Sequence, residues 1–196
     1  MERSTGQNLD ERPFSRTSAV AGIVLMVGLT AAGAQVAIPL PFTPVPLTLQ
    51  VLMVVLSGLL LGVRRGASAQ FSYLLLGAVG APVFAGFSGG LGHMLGPTGG
   101  YLFSYPLAAA VAGLAFPTLL SGTVRWRVLV IAFTAGLLGL AVIYTLGTTW
   151  LAFQMQLSAG DALRQGVLPF VAVDVAKVAL AALIATAVPG FRDRYL

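Results

Sequence analysis

Gly166–Val188 reads GVLPFVAVDVAKVALAALIATAV. The stretch is long enough to cross a bilayer, for which about 20 apolar residues suffice. Yet it carries Asp174 and Lys177 near its middle. Three residues apart on a helix, the two share a face. Ionisable groups at membrane depth are costly and face the protein interior or a polar cavity. The reading is that five other helices surround this pair, and that the cavity beside it receives a small polar molecule.

The rest of the composition agrees. Of 196 residues, 57% are hydrophobic and only 9% charged, against about 25% charged in soluble domains. This predicts an integral membrane protein rather than a soluble domain with one anchor. Working outward, six apolar segments fall near residues 19–38, 47–61, 67–81, 100–120, 128–151 and 166–188. The expected fold is an all-α integral membrane bundle of six transmembrane helices. Residues 1–18 are expected to be a retained cytoplasmic tail, because they lack the basic-then-apolar order of a signal peptide. Residues 19–191 are expected to form a single six-helix domain.

Charge placement sets the orientation. With six spans, Arg3, Arg12, Arg16, Arg64, Arg65, Arg125, Arg127, Arg192 and Arg194 fall on one side and Arg164 on the other. Cytoplasmic loops carry the excess of basic residues, so both termini are expected in the cytoplasm. The net charge of +5 is thus read as topology and not as nucleic-acid binding.

Three loops then face outward. The first, IPLPFTPVPLTLQ (Ile38–Gln50), holds Pro39, Pro41, Pro44 and Pro46, which cannot continue a regular helix. It is apolar without being helical, and either lies at the interface or closes over a cavity. The second, APVFAGFSGGLGHMLGPTGGY (Ala81–Tyr101), is glycine-dense and uncharged. Its glycines either permit tight turns or let backbone N–H groups approach a ligand. The third holds Asp161 and Arg164.

Asp174 and Lys177 either neutralise each other structurally, form part of an ion pathway, or bind a ligand. A carboxylate only accepts hydrogen bonds, so a urea-like or amide-like edge suits it. Gln50, Gln70, Tyr73 and Tyr101 are wall residues of a cavity or are satisfied by neighbouring helices. Phe42, Phe84, Phe87, Phe103 and Phe170 are cavity walls or core. His93 reads as an exposed or locally hydrogen-bonded histidine, and Trp150 as an interface anchor. Gly28–Ala32 and Gly33–Ala37 are small-xxx-small pairs, which allow close helix approach within the bundle or to another membrane protein.

Catalysis and cofactors are not expected. The chain has no Cys and one His, no HExxH and no acidic cluster, so no metal site is expected. It has no nucleotide-binding motif, so any ATP hydrolysis belongs to a partner. A self-contained secondary transporter or channel for another small solute is the alternative class, although no inverted repeat is evident.

From about Ser18 to Pro189 the chain resembles the BioY family, the biotin-specific substrate-binding (S) components of energy-coupling factor (ECF) transporters. The resemblance is carried by IPLPFTPVPLTLQ, GLLLGVRRGA, LLLGAVGAPVFAGFSGGLGHMLGPTGGYL and GVLPFVAVDVAKVALAA. It implies a multi-pass protein of the bacterial cytoplasmic membrane that captures biotin near the outer face. A transmembrane coupling protein and ATPase subunits are the implied partners, and a homo-oligomer is also compatible. Residue by residue, Asp174 and Lys177 match the acidic and basic positions of the last helix. The expectation is Asp174 toward the ureido N–H groups, with Lys177 toward an oxygen or neutralising the aspartate. Gly99, Gly100 and Tyr101 match the GGY segment near the ligand, and Gln50 matches TLQ. The gate is expected at Pro39, Pro41, Phe42 and Pro44. Docking onto the partner is expected through Gly28 and Ala32, a pair that departs from a strict AxxxA.

Overall fold

The computed structural model describes residues 16–120 and 124–187. The tail before residue 16, the Pro189-Gly190 stop and the terminal arginines lie outside the described residues. The protein is a multi-pass membrane bundle of helices with one small β-hairpin. Its surface is apolar: Val24, Leu25, Phe71, Leu75, Leu138 and Leu183 are exposed, while Gln50, Gln70, Asp174 and Lys177 are buried. That inversion is what lipid selects, since exposed backbone and polar groups find no hydrogen-bond partners there.

Helix α1 (Arg16–Gln35) is followed at once by β1 (Ala37–Leu40) and β2 (Thr43–Thr48). The bundle is helical as expected, with one local addition, because the proline-rich stretch is an antiparallel hairpin. Ala37 pairs with Thr48 and Ile38 with Leu47, and the register then shifts before Leu40 pairs with Thr43. Pro44 and Pro46 have no N–H to give to a ladder, which explains an irregular hairpin confined to two strands.

Helix α2 (Gln50–Ala78) spans both the second and third apolar segments. The expected separate basic turn is corrected to a break at one residue, Gly62, whose φ of 77° and ψ of −179° interrupt the helix. Positive φ is costly for any residue with a Cβ, so glycine is needed there. The two arms of α2 lie against each other. Gln70 Nε2 donates to Ser57 Oγ at 2.7 Å and Gln50 Nε2 to Tyr73 OH at 2.8 Å. A Cβ on Gly66 would sit 2.8 Å from the Ser57 carbonyl oxygen.

A loop with a 3-10 turn at Ala85–Phe87 and the short α3 (Leu91–Met94) leads to α4 (Gly99–Ala112). A second 3-10 turn, Gly113–Ala115, continues into α5 (Phe116–Leu120). Helix α6 (Arg125–Met155) has 31 residues and is longer than the apolar run alone predicts. Helix α4 packs against both α2 and α6, α1 against α2, and α8 against α2 and α6. Ala108, Ala109 and Ala112 are fully buried where α4 meets its neighbours, the small-residue contact on which membrane helices rely.

The last apolar stretch is not one helix. Helix α7 (Ala159–Gly166) begins inside the expected polar connection, where Ser158 caps it by accepting from Asp161 N at 3.2 Å. Helix α8 (Val171–Ala187) follows after a bend of 52°. Pro169 stands in that bend. Asp174 therefore lies in the first turn of α8, not mid-span. A carboxylate is favoured there by the unpaired N–H groups of the helix start. Among the described residues, four helices are long and apolar enough to cross a membrane, or five if the bent α7–α8 pair counts as one span, against the six expected.

Candidate functional site

Helix α8 presents Asp174 and Lys177 on one face, both buried. Lys177 Nζ donates to Asp174 Oδ1 at 2.6 Å and to the Thr48 carbonyl oxygen, also at 2.6 Å. Tyr144 OH, from α6, donates to Asp174 Oδ2 at 2.8 Å. The ion pair thus reaches α6 on one side and the base of the hairpin on the other. A buried pair needs such extra hydrogen bonds to offset the loss of water.

These groups border a cavity of about 220 Å³. That is small beside typical drug-sized pockets of roughly 300–1,000 Å³, so it has room for a small molecule only. The hairpin forms much of the wall through Pro39, Leu40, Thr43, Pro44, Val45, Pro46, Leu47 and Thr48. Gln50, Tyr101, Tyr105, Ile143, Tyr144, Phe170, Asp174 and Lys177 contribute from the helices, and Ala85, His93 and Thr98 from the glycine-rich loop. Burial orders these residues by depth. Gln50, Tyr101, Tyr105, Ile143, Phe170, Asp174 and Lys177 are buried, Thr43, Ala85, His93 and Thr98 are half-buried, and Pro39 and Pro44 are exposed. The ion pair therefore marks the inner end, and the hairpin prolines together with the glycine-rich loop the rim.

Among the expected site residues, Asp174, Lys177, Gln50, Tyr101 and Phe170 line the cavity, as do the expected gate residues Pro39 and Pro44. The others stand elsewhere. Gln70 bonds to Thr30 Oγ1 at 3.1 Å and to Ser57, tying α1 to α2 away from the cavity. Tyr73 accepts from Gln50 and donates to the Val83 carbonyl at 3.0 Å, so it braces a wall residue rather than forming the wall. Gly99 and Gly100 are packing positions: a Cβ on Gly100 would fall 2.8 Å from Trp150 Cγ. Pro41 and Phe42 occupy the hairpin turn, outside the lining. Gly28 and Ala32 lie on the exposed face of α1, with nothing within 4 Å of a Cβ added at Gly28.

Several contributors escape sequence reading. Tyr144 comes from thirty residues upstream of Asp174, and no local spacing announces it. Gln35, the polar residue that ends α1, holds the rim. Its Nε2 donates to the Phe84 carbonyl at 3.1 Å and its Oε1 accepts from Phe87 N at 2.9 Å. Phe87 has a φ of 55°, a left-handed conformation that a bulky residue adopts only when its surroundings impose it. Trp150, read as an interface anchor, donates to the Gly96 carbonyl at 2.9 Å and so pins the loop below α4. Tyr101 OH donates to the Gly166 carbonyl at 2.8 Å, fixing the end of α7 beside the cavity.

One prediction follows from Tyr144. Its loss as a donor leaves Asp174 Oδ2 unpartnered by protein. Tyr144→Phe is expected to weaken equilibrium ligand binding by roughly three- to tenfold, about 1 kcal/mol for one hydrogen bond, with unchanged helicity. Undiminished affinity would separate Tyr144 from the site.

The family model described as the BioY family matches residues 5–193. The chain is 44% identical over 171 residues to the probable biotin transporter BioY of Pyrococcus horikoshii, covering 87% of this chain and 96% of that protein. It is 43% identical over 161 residues to the biotin transporter BioY of Thermotoga maritima, covering 82% and 89%. Its fold is similar to the crystal structure of an S-component for biotin from an ECF-type ABC transporter. The TM-score is 0.77 at 26% identity, over 87% of this chain and 90% of that one.

Proposed function

The chain belongs to the BioY family, and from that premise we propose that it captures biotin as the S component of an ECF-type transporter of the cytoplasmic membrane. The observation that carries this reading is a buried, hydrogen-bonded Asp174–Lys177 pair on the wall of a small cavity roofed by a hairpin. Its class is transport, not catalysis.

The chemistry of the inner end favours the ureido ring as the group bound there. The pair is neutral in sum, and Asp174 would repel a ligand carboxylate. Its carboxylate oxygens have about four lone-pair sites, of which Lys177 and Tyr144 take two. The others suit the ureido N–H groups. Lys177 has three N–H donors, two already used, and the third suits the ureido oxygen. Tyr105, Ile143 and Phe170 enclose the apolar ring. Nanomolar capture, about −12 kcal/mol, is within reach of such an enclosed site.

The topology that fits is six passes with both termini cytoplasmic. Counting the two arms of α2 as separate passes and α7–α8 as one bent pass gives six: α1, the two arms, α4 with α5, α6, and α7–α8. The positions of Arg64, Arg65, Arg125 and Arg127 support that orientation. The hairpin and the glycine-rich loop then face outward, where biotin arrives. A coupling protein and ATPases are the partners, and the exposed Gly28–Ala32 face of α1 is the docking surface. Lys177, bonded to the Thr48 carbonyl, latches the hairpin shut until partner or ligand competes for it.

The test is equilibrium binding of labelled biotin to purified chain, followed by counterflow into vesicles lacking any ATPase. Saturable one-to-one binding is expected, in the nanomolar range, together with ATP-dependent uptake once the coupling subunits are added. No saturable binding of biotin, with another solute exchanged instead, overturns the reading.

A further inference from the structure

The rim of the cavity holds a histidine whose tautomer is fixed by its neighbour. Ser88 Oγ lies 2.7 Å from the Ala85 carbonyl oxygen, to which it donates its one hydrogen. The same Oγ lies 3.0 Å from His93 Nδ1. With that hydrogen spent, the Nδ1–Oγ contact needs the proton on Nδ1, which donates to Ser88. In the neutral ring the other nitrogen, Nε2, is then a bare lone pair. Phe84 stacks on the imidazole, with centroids 5.3 Å apart at 23°, and holds its plane. Phe84 is itself fully buried and held by Gln35. His93 is thus a positioned ring on the cavity wall, half-buried at the rim.

We propose that His93 is the recognition site for the anionic tail of the ligand and takes up a proton on Nε2 as the carboxylate binds. This rests on biotin as ligand and on its ureido end lying at the ion pair. A guest anchored at the inner end directs its tail toward the rim, where His93 is the ionisable residue. Residues 81–98 contain no Asp, Glu, Lys or Arg, so nothing in that loop neutralises a carboxylate except His93. The remaining titratable groups on the lining are Tyr101, Tyr105, Tyr144, Asp174 and Lys177, and they belong to the helices. The proton moves from solvent to Nε2. The donor acid's bond to that proton breaks as the Nε2–H bond forms, and the product is an imidazolium that donates from Nδ1 to Ser88 and from Nε2 to the carboxylate.

Partial burial lowers the pKa of His93 in the free protein, so the ring awaits the ligand uncharged. A bound carboxylate raises it. Affinity is then greatest below the free-state value, falls as pH rises through the window between the free and bound values, and is constant above it.

Titration calorimetry of the purified full chain, in two buffers of different ionisation enthalpy, reads this directly. With biotin, net proton uptake is expected near neutral pH. Affinity is expected to weaken at least about fivefold from about pH 6 to about pH 8.5, bracketing the ordinary imidazole range. Biotinol has the same ring and an alcohol tail, and meets every other titratable group alike. It should bind without proton uptake and with less than about twofold change over the same range. His93→Gln should lose the uptake and the pH response for biotin, so that its affinities for biotin and biotinol both change by less than about twofold over the same range. Saturable biotin binding by wild type with no proton uptake overturns the role of His93 alone, as does uptake that persists in His93→Gln. Absence of binding by both ligands overturns the biotin reading beneath it.

Discussion

Replacing Asp174 by asparagine is expected to weaken biotin binding by roughly ten- to a hundredfold. The substitution keeps the shape but removes the charge that strengthens each hydrogen bond, and bonds to charged groups contribute about 1.5–3 kcal/mol. A tenfold change corresponds to about 1.4 kcal/mol. Folding is affected as well. Lys177 is buried, and its other partner is the Thr48 carbonyl. Removing one member of a buried pair leaves an uncompensated charge, at a cost of about 3–5 kcal/mol. The two effects separate in the double variant Asp174→Asn/Lys177→Met, which removes both charges. Its thermal midpoint in detergent should recover most of the loss, while its biotin affinity should not. A double variant that regains binding along with stability would give the pair a purely structural role.

The second large effect is at Gly58, in the first arm of α2. A Cβ there would overlap the Ala109 carbonyl oxygen and lie 2.8 Å from Gly113 N and 2.9 Å from Ala112 Cβ. Two of those obstacles are backbone of α4 and the turn after it, so no rotamer change relieves them. A Cβ on Gly66 would lie 2.9 Å from Gly58 Cα, where the two arms of α2 meet, and one on Gly113 would lie 2.6 Å from Val63 N, in the second arm. This glycine seam lets the folded arms of α2 lie directly on α4, as small residues do at membrane helix contacts. Gly58→Val is expected to lower the thermal midpoint sharply or abolish the folded monomer on size exclusion. Overpacking typically costs about 1–3 kcal/mol, and an obstacle made of backbone stands at or above the upper end. A folded Gly58→Val protein with an unchanged midpoint would show that the α2–α4 contact can open without cost.

Much of this architecture is legible in the sequence because lipid imposes a coarse rule, with apolar runs crossing and charged breaks staying at the surface. Arg64-Arg65 and Arg125 to Arg127 stand at the breaks, as that rule requires. The same rule cannot tell a turn from a kink. Gly62 alone reverses α2, and helical geometry resumes at the next residue, so the basic residues already belong to the following arm. Nor does hydropathy see the hairpin, since four prolines argue against a strand as well as a helix, and only irregular pairing accommodates them. Pro169 lies inside an apolar run that reads as one span, but it stands where α7 and α8 meet.

The site shows the same division. Asp174 and Lys177 stand out because their charge is anomalous in their surroundings, and the GGY and TLQ segments because they resemble a family. Gln70 is equally anomalous, yet it serves α1–α2 contact and not the cavity. A buried polar residue identifies a polar partner, and only the tertiary arrangement says whether that partner is protein or guest. Tyr144, Gln35 and His93 owe their roles to residues or backbone groups brought together by the fold.

On the proposed function, two opposite charges are kept in the apolar bundle because they hold biotin. Native mass spectrometry of the chain purified from cells supplied with biotin tests it most directly. One biotin per wild-type chain is predicted, with none retained by the folded Asp174→Asn/Lys177→Met variant. Biotin retained equally by both proteins, or a different molecule on the wild type, would contradict it.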